Sequence, residues 1–133
     1  MTSPATHIHS RRVEFADTDA AGVAHFSRLL AMVEEAEHGF FREHGIPILT
    51  TDSAWPVVKT EVDFVGACRF GDEIEIRLGD FQPGKSSLAY AFEGQIDGRK
   101  VFSGKMMKCH ISPATGRTVE IPGEVLERLK RKI

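Results

Sequence analysis

The sequence predicts an α+β fold, a curled antiparallel sheet of about five strands wrapped round one long helix. Three observations lead there. Apolar residues recur at helical spacing over one stretch of about twenty residues, period-two patterns dominate the chain beyond it, and turn signals cut that remainder into antiparallel neighbours. Composition agrees, since 133 residues with 41% hydrophobic and 27% charged side chains suit one domain spanning 1–133 with a core of its own.

Taken in order, Ile8 to Phe15 sets Val13 and Phe15 against Arg12 and Glu14 and reads as a strand. The turn-rich Asp17-Thr18-Asp19-Ala20-Ala21-Gly22 comes next. From Val23 the period changes, and Phe26, Leu29, Leu30, Val33, Ala36 (or Glu37) and Phe40 fall on one helix face, with Arg28, Glu35, Arg42 and Glu43 opposite. Gly45 supplies the C-terminal stop and Pro47 prevents the helix from resuming. After the polar Thr50 to Ser53, Val57 to Phe64 alternates, and Gly71-Asp72 turns into the half-buried strand Glu73 to Leu78. Pro83-Gly84 turns again into Ser86 to Ile96. The hairpin signal Asp97-Gly98 joins that strand to Val101 to Ile111. Gly123 to Lys132 reads as a short amphipathic helix through Val125, Leu126 and Leu129. A sheet that covers the wide stripe of the first helix must curl, and its edges invite a second copy, so a homodimer is expected.

Several function classes drop out. Seventeen basic against nineteen acidic residues, a net charge of −2, do not suit a binder of nucleic-acid backbones. Cys68 and Cys109 form no CxxC pair, the start of the chain has no apolar leader, and no apolar run approaches the ~20 residues of a membrane span. The expectation is a reduced, cytoplasmic protein without a membrane span. His7 and His9 stand two apart with no further ligand spacing, so no metal site is expected.

Functional ingredients meet in Asp17 to Phe26. Two carboxylates precede a helix whose first turn offers unpaired N–H groups and the positive end of its dipole, a place that holds a developing oxyanion. Gly22 clears a side chain where a ligand would approach the backbone. Asp before a helix is most often an N-cap, so spacing alone leaves Asp19 open between cap and catalyst. Asp17 suits a turn or cap better than a catalyst. His25, beside Phe26, is a candidate base or a solvent-facing ring.

The run Arg12-Val13-Glu14-Phe15-Ala16-Asp17-Thr18-Asp19-Ala20-Ala21-Gly22-Val23-Ala24-His25-Phe26 resembles the hotdog-fold acyl-CoA thioesterases of the 4-hydroxybenzoyl-CoA thioesterase type, whose signature is Asp-x-Asp-x-x-Gly-(Val/Ile) leading into the central helix. The resemblance extends through Val57 to Phe64 and the order of elements. It implies a hotdog fold and thioester hydrolysis, with Asp19 as general base or nucleophile and the Phe26 backbone amide, beyond Gly22, as oxyanion donor. Relatives associated with the Tol–Pal system place their His one position later than His25, so that role does not carry over. The dihydroxynaphthoyl-CoA thioesterases resemble the chain more closely, with an aromatic at the Phe26 position.

The resemblance also implies that coenzyme A arrives as part of an acyl-CoA substrate, with no separate cofactor, and that the active site lies between subunits of a homodimer or homotetramer. Lys85-Ser86-Ser87 after the Pro83-Gly84 turn is similar to a phosphate-contacting Lys-Ser element, or is a solvated turn. The basic Arg128, Lys130, Arg131 and Lys132 suit the end of a terminal helix. Phe26, Phe40, Trp55 and Phe64 are candidate acyl-pocket residues, each also at home in a core. Glu34 and Glu35 suit a solvated helix face, whereas Glu37 lies nearer the apolar stripe. Two rivals share this fold: an enoyl-CoA hydratase or dehydratase using His25 or Glu37, and a non-catalytic acyl-CoA-binding module.

Overall fold

A computed structural model describes residue 1 and residues 4–132. Its elements are β1 (His7–Arg12), α1 (Phe26–Glu43), β2 (Val57–Phe64), β3 (Glu73–Pro83), β4 (Ser87–Ile96), β5 (Arg99–Cys109) and α2 (Gly123–Lys132), with a single 3-10 turn at Phe15–Asp17. The five strands form one antiparallel sheet in the order β1-β3-β4-β5-β2. The two strands flanking α1 in sequence therefore lie at opposite edges.

The core forms where α1 faces the sheet. Leu29, Met32, Val33, Ala36, Phe40 and Phe41 of α1 cluster with Ile74, Ile76, Leu78, Leu88, Phe92 and Phe102 from β3, β4 and β5. Large and small residues interleave across the β4–β5 hairpin, where Phe92 pairs with Gly104 and Gly94 with Phe102. A Cβ at Gly94 would sit 2.3 Å from the Phe102 ring, and one at Gly104 only 2.0 Å from the Glu61 carbonyl oxygen of β2. The Asp97-Gly98 hairpin is present, with φ of 51° and 75° at its two central residues, the left-handed pair that matches strand twist.

Several boundaries differ from the sequence reading, each for a local reason. β1 ends at Arg12 rather than Phe15, because the Asp17 carboxylate accepts the Glu14 N–H at 2.8 Å and winds Phe15–Asp17 into a turn. α1 begins at Phe26 rather than Val23, since Val23 and Ala24 are held extended by bridges to Arg69 and Thr18. Its end is as expected. Gly45 takes φ +65° while Ile46 N–H donates to the Phe41 carbonyl at 2.8 Å and Gly45 N–H to that of Arg42 at 3.3 Å, a Schellman closure.

The buried stripe of α1 runs through Met32, Glu37 and Phe41 as well, while Phe26 is 57% exposed and lies off it. β3 continues past Leu78 to Pro83 through a bulge between Gly79 and Gln82. β5 spans Arg99–Cys109, two residues earlier than the expected strand at both ends, because the two-residue turn pairs Ile96 directly with Arg99. β2 alternates in sequence, yet only Val62 is part-buried, because β2 is an edge strand.

Candidate active site

The loop between β1 and α1 folds back on itself as a narrow hairpin. Asp19 N–H donates to the Val23 carbonyl at 2.9 Å, Gly22 N–H to the Asp19 carbonyl at 3.0 Å, and His25 N–H to the Asp17 carbonyl at 2.9 Å. Gly22 sits at φ +79°, a conformation that side-chain-bearing residues adopt only with strain. This hairpin carries the two aspartates and delivers the chain to the first turn of α1.

The aspartates have different environments. Asp17 is 1% exposed and held from three sides. It accepts from the Glu14 N–H at 2.8 Å, from Arg28 Nε at 3.0 Å and from Arg11, whose other terminal nitrogen reaches Glu35 at 2.8 Å. Burial pushes the Asp17 carboxyl up, but the Glu14 N–H and the Arg28 and Arg11 guanidiniums outweigh it and hold it below its ordinary value. Asp17 is thus a structural anchor joining β1, the turn and α1. Asp19 is exposed; one oxygen accepts the Ala21 N–H at 2.9 Å, and among the described residues the other has no partner. It caps its own turn rather than α1.

The cap of α1 is His25, whose Nδ1 accepts the Ser27 N–H at 3.2 Å and lies 2.8 Å from the Ser27 hydroxyl. The Phe26 N–H occupies the first helical position, one of those an α-helix leaves without an internal partner. Around it the His25 and Phe26 rings lie 4.5 Å apart and Phe26 meets Phe64 of β2 edge-on at 6.4 Å. Asp19, Gly22, His25, Phe26 and Phe64 therefore gather at one end of the sheet.

The remaining candidates lie elsewhere. Trp55 is 7% exposed, packs on Phe41 and His110, and donates its indole N–H to the Pro47 carbonyl at 3.0 Å, so it is built into the core. Phe40 is fully buried, stacked on Phe81. Lys85 and Ser86 lie in the β3–β4 turn and Ser87 opens β4, at the other end of the sheet, where Lys85 Nζ pairs with Glu120 at 3.0 Å. Arg128 binds the Gly45 carbonyl, which ties α2 to the end of α1. His7 and His9 lie beside Glu43 and Glu35 at 3.2 and 3.7 Å. Among the described residues no three His, Cys, Asp or Glu side chains gather as metal ligands, and no helix is long and apolar enough to cross a membrane.

Glu37 is the surprise of α1. It is 1% exposed, its carboxylate accepting from Tyr90 OH and Lys108 Nζ, each at 2.6 Å. The inward Leu88-Tyr90-Phe92 alternation was the available signal for Tyr90; for Lys108 the sequence carried none.

The family model of the thioesterase-like superfamily matches residues 13–129 of this sequence. The chain belongs to that superfamily. A 1,4-dihydroxy-2-naphthoyl-CoA hydrolase of Crocosphaera subtropica is 29% identical over 124 residues, covering 90% of this chain and 85% of its own. Another so named, from Synechococcus sp. strain CC9605, is 30% identical over 137 residues, with 94% and 90% covered. Among solved structures, a 1,4-dihydroxy-2-naphthoyl-CoA thioesterase from Synechocystis superposes with a TM-score of 0.85 at 21% identity, over 93% of this chain and 95% of that one, a likeness of fold. A gentisyl-coenzyme A thioesterase superposes with a TM-score of 0.82 at 25% identity, over 92% and 98%. This thioesterase-family enzyme has the architecture of the hotdog thioesterases, as its Asp-x-Asp-x-x-Gly turn suggested.

Proposed function

We propose that this enzyme hydrolyses an acyl-CoA thioester to the free acid and coenzyme A, with Asp19 as its catalytic carboxylate and the Phe26 amide as oxyanion donor. The observation that supports this most is the division between the two aspartates. Asp17 is buried and fully engaged, whereas Asp19 is exposed, with one oxygen uncommitted, on the turn that leads into the α1 N-terminus. Asp19 either draws a proton from the attacking water or attacks the carbonyl itself to form a mixed anhydride that water opens. In both courses an oxygen–carbon bond forms, the carbon–sulfur bond breaks and the thiol departs with a proton. The carbonyl oxygen meanwhile becomes an oxyanion that an unpaired helix N-terminal N–H and the positive helix end favour.

The whole chain forms one hotdog unit in this reading, its sheet curling round α1, and the unit works as a dimer. Val57, Val58, Phe64 and Val65 on and beside the edge strand β2 are 47%, 57%, 44% and 61% exposed in one protomer, an apolar edge that a second copy would cover. A two-fold axis beside β2 sets two copies of that strand antiparallel over about 27 Å. The Val57 end of the sheet, where Ser87 pairs with Cys109, then approaches the partner's Phe64 end. Lys85, Ser86 and Ser87 of one protomer thereby come toward Asp19 of the other, where an ammonium and hydroxyls suit the phosphates of coenzyme A. A tetramer is the expected assembly of such dimers, and the cytoplasm the expected compartment.

The test is thiol release from a panel of short, long and aromatic acyl-CoAs by the native protein, Asp19→Asn and Asp19→Ala. Turnover of at least one substrate should fall a hundredfold or more in both variants with unchanged circular dichroism. Turnover retained in both removes Asp19 from the chemistry.

A further inference from the structure

A serine and a histidine from distant parts of the chain meet in a pair that the chemistry at Asp19 does not use. Ser53 belongs to the polar loop before β2, and His110 directly follows β5. Ser53 Oγ lies 2.8 Å from His110 Nε2, and His110 Nδ1 lies 3.1 Å from the Val119 carbonyl oxygen. These partners decide where the protons sit. A carbonyl only accepts, so Nδ1 carries the hydrogen; the neutral ring then has a bare Nε2, which accepts from the Ser53 hydroxyl. The hydroxyl proton is already directed at a base, the arrangement that turns a weak alcohol into a nucleophile.

The base is held in place on every side. His110 is 1% exposed and its ring packs on Trp55 at 4.7 Å. Its backbone N–H donates to the Ser86 carbonyl at 2.9 Å, and its carbonyl accepts from the Val119 N–H at 3.0 Å. Ser53, by contrast, is only part-buried. Its loop is closed by the Thr50 N–H, which donates to the Ser53 carbonyl at 2.9 Å, and by the Asp52 N–H, which donates to the Thr50 hydroxyl at 3.1 Å. Among the described residues nothing accepts from the Ser53 N–H. One residue therefore offers an oxygen with its base behind it and an uncommitted N–H beside it. The N–H of an attacking serine is a donor that the oxyanion of an acyl-transfer intermediate uses. The pair adjoins Ser86, at the opposite end of the sheet from Asp19 of the same chain.

We propose that Ser53, with His110 as its base, is a second reactive centre of this protein and takes acyl groups from esters with good leaving groups. Ser53 Oγ bonds to the ester carbonyl carbon as its proton passes to His110 Nε2. The carbon–oxygen bond to the leaving alcohol then breaks, and the alcohol departs with the proton from His110. Water attacks the acyl-serine, giving a proton to His110, and the acid leaves as Ser53 regains that proton. Val119 supplies a carbonyl dipole where a catalytic triad has a carboxylate, and a dipole supports an imidazolium less than a full charge does. The centre therefore suits aryl esters, whose leaving groups need little help, rather than amides.

A fluorophosphonate probe tests the nucleophile apart from turnover, because Ser53 Oγ displaces fluoride from phosphorus and the adduct stays. The Asp19→Asn background keeps the carboxylate at the other end of the sheet out of the measurement. Peptide mass spectrometry should place the adduct on Ser53 in the folded protein and find none on the chain unfolded in guanidinium. Adding His110→Phe, which keeps a ring against Trp55, should slow labelling roughly a hundredfold or more, as loss of a general base does. His110→Phe can misfold; the comparison of folded with unfolded chain keeps the test decisive. Hydrolysis of p-nitrophenyl acetate in the same background should fall about tenfold or more on adding Ser53→Ala, which removes one exposed-side oxygen and leaves the fold intact by circular dichroism. A Ser53–His110 bond that only holds the loop leaves the probe unreacted, and that result overturns the proposal. Equal labelling of folded and unfolded chain, undiminished labelling in folded His110→Phe, or ester hydrolysis unchanged by Ser53→Ala also overturns it.

Discussion

Replacing Asp17 with Asn should separate the structural aspartate from the reactive one. The carboxylate is 1% exposed and engages Arg11, Arg28 and the Glu14 N–H. Removing one partner of a buried charge cluster typically destabilises by about 3–5 kcal/mol. Two features reduce that here: the Arg28 side chain is 45% exposed and can turn to water, and Arg11 keeps Glu35. A loss of about 2–3 kcal/mol is the appropriate expectation. With an unfolding entropy of ~2.1 cal/mol/K per residue, 133 residues give ~0.28 kcal/mol/K, so Tm should fall by about 7–11 °C at neutral pH. The carboxyl titrates lower in the folded chain than its ordinary 3.8, so its contribution is fully present above about pH 5. As the pH falls through 3.8 the unfolded chain takes up the proton first, and the contribution is lost as the folded carboxyl titrates in turn. Thermal unfolding of native and Asp17→Asn protein at one protein concentration, from pH 7 to pH 2.5, should show two curves that converge in acid. A gap below about 2 °C at neutral pH, or one that persists undiminished at pH 2.5, refutes the assignment of Asp17 as an ionised anchor.

The edge strand and the two thiols carry further expected outcomes. Val58→Lys on β2, at a position 57% exposed in the protomer, should halve the sedimenting mass while leaving far-ultraviolet circular dichroism unchanged; an unaltered mass excludes pairing through β2. Burial, with Asp72 nearby, pushes the Cys68 thiol up to about 11, so iodoacetamide at pH 8 should label Cys109 while Cys68 reacts only on unfolding. Equal labelling of both thiols in the folded protein contradicts the packing around Cys68.

What the sequence disclosed tracks how local each cause is. The Schellman end of α1 needs only Gly45 and the preceding turn, and it is where Gly45 and Pro47 place it. The Asp97-Gly98 hairpin depends on two residues, and α2 on the apolar spacing of one short segment. The end of β1 depends on a carboxylate reaching back to Glu14 while two arginines hold it, and no periodicity encodes that. Glu37 looked ambiguous because its partners lie 53 and 71 residues further along the chain. The alternation of β2 promised a buried face, but as an edge strand it has one part-buried residue, Val62. At the site, the Asp-x-Asp-x-x-Gly turn and the helix start were legible, whereas the separate environments of Asp17 and Asp19 depend on Arg11 and Arg28, which flank the motif without belonging to it.

The reciprocal fit of Gly94 and Phe102 limits how this hairpin can drift. A methyl group at position 94 would displace only the Phe102 ring, whereas one at position 104 would strike the backbone of β2. Positions 94 and 102 therefore behave as one volume shared by two strands. Bulk can enter at 94 only if 102 gives it up, so a library that varies either position singly will recover little, while one that varies both together will recover exchanged pairs. Position 104 gains nothing from the same exchange with Phe92, because the Glu61 backbone also stands in the way and a strand backbone cannot be made smaller.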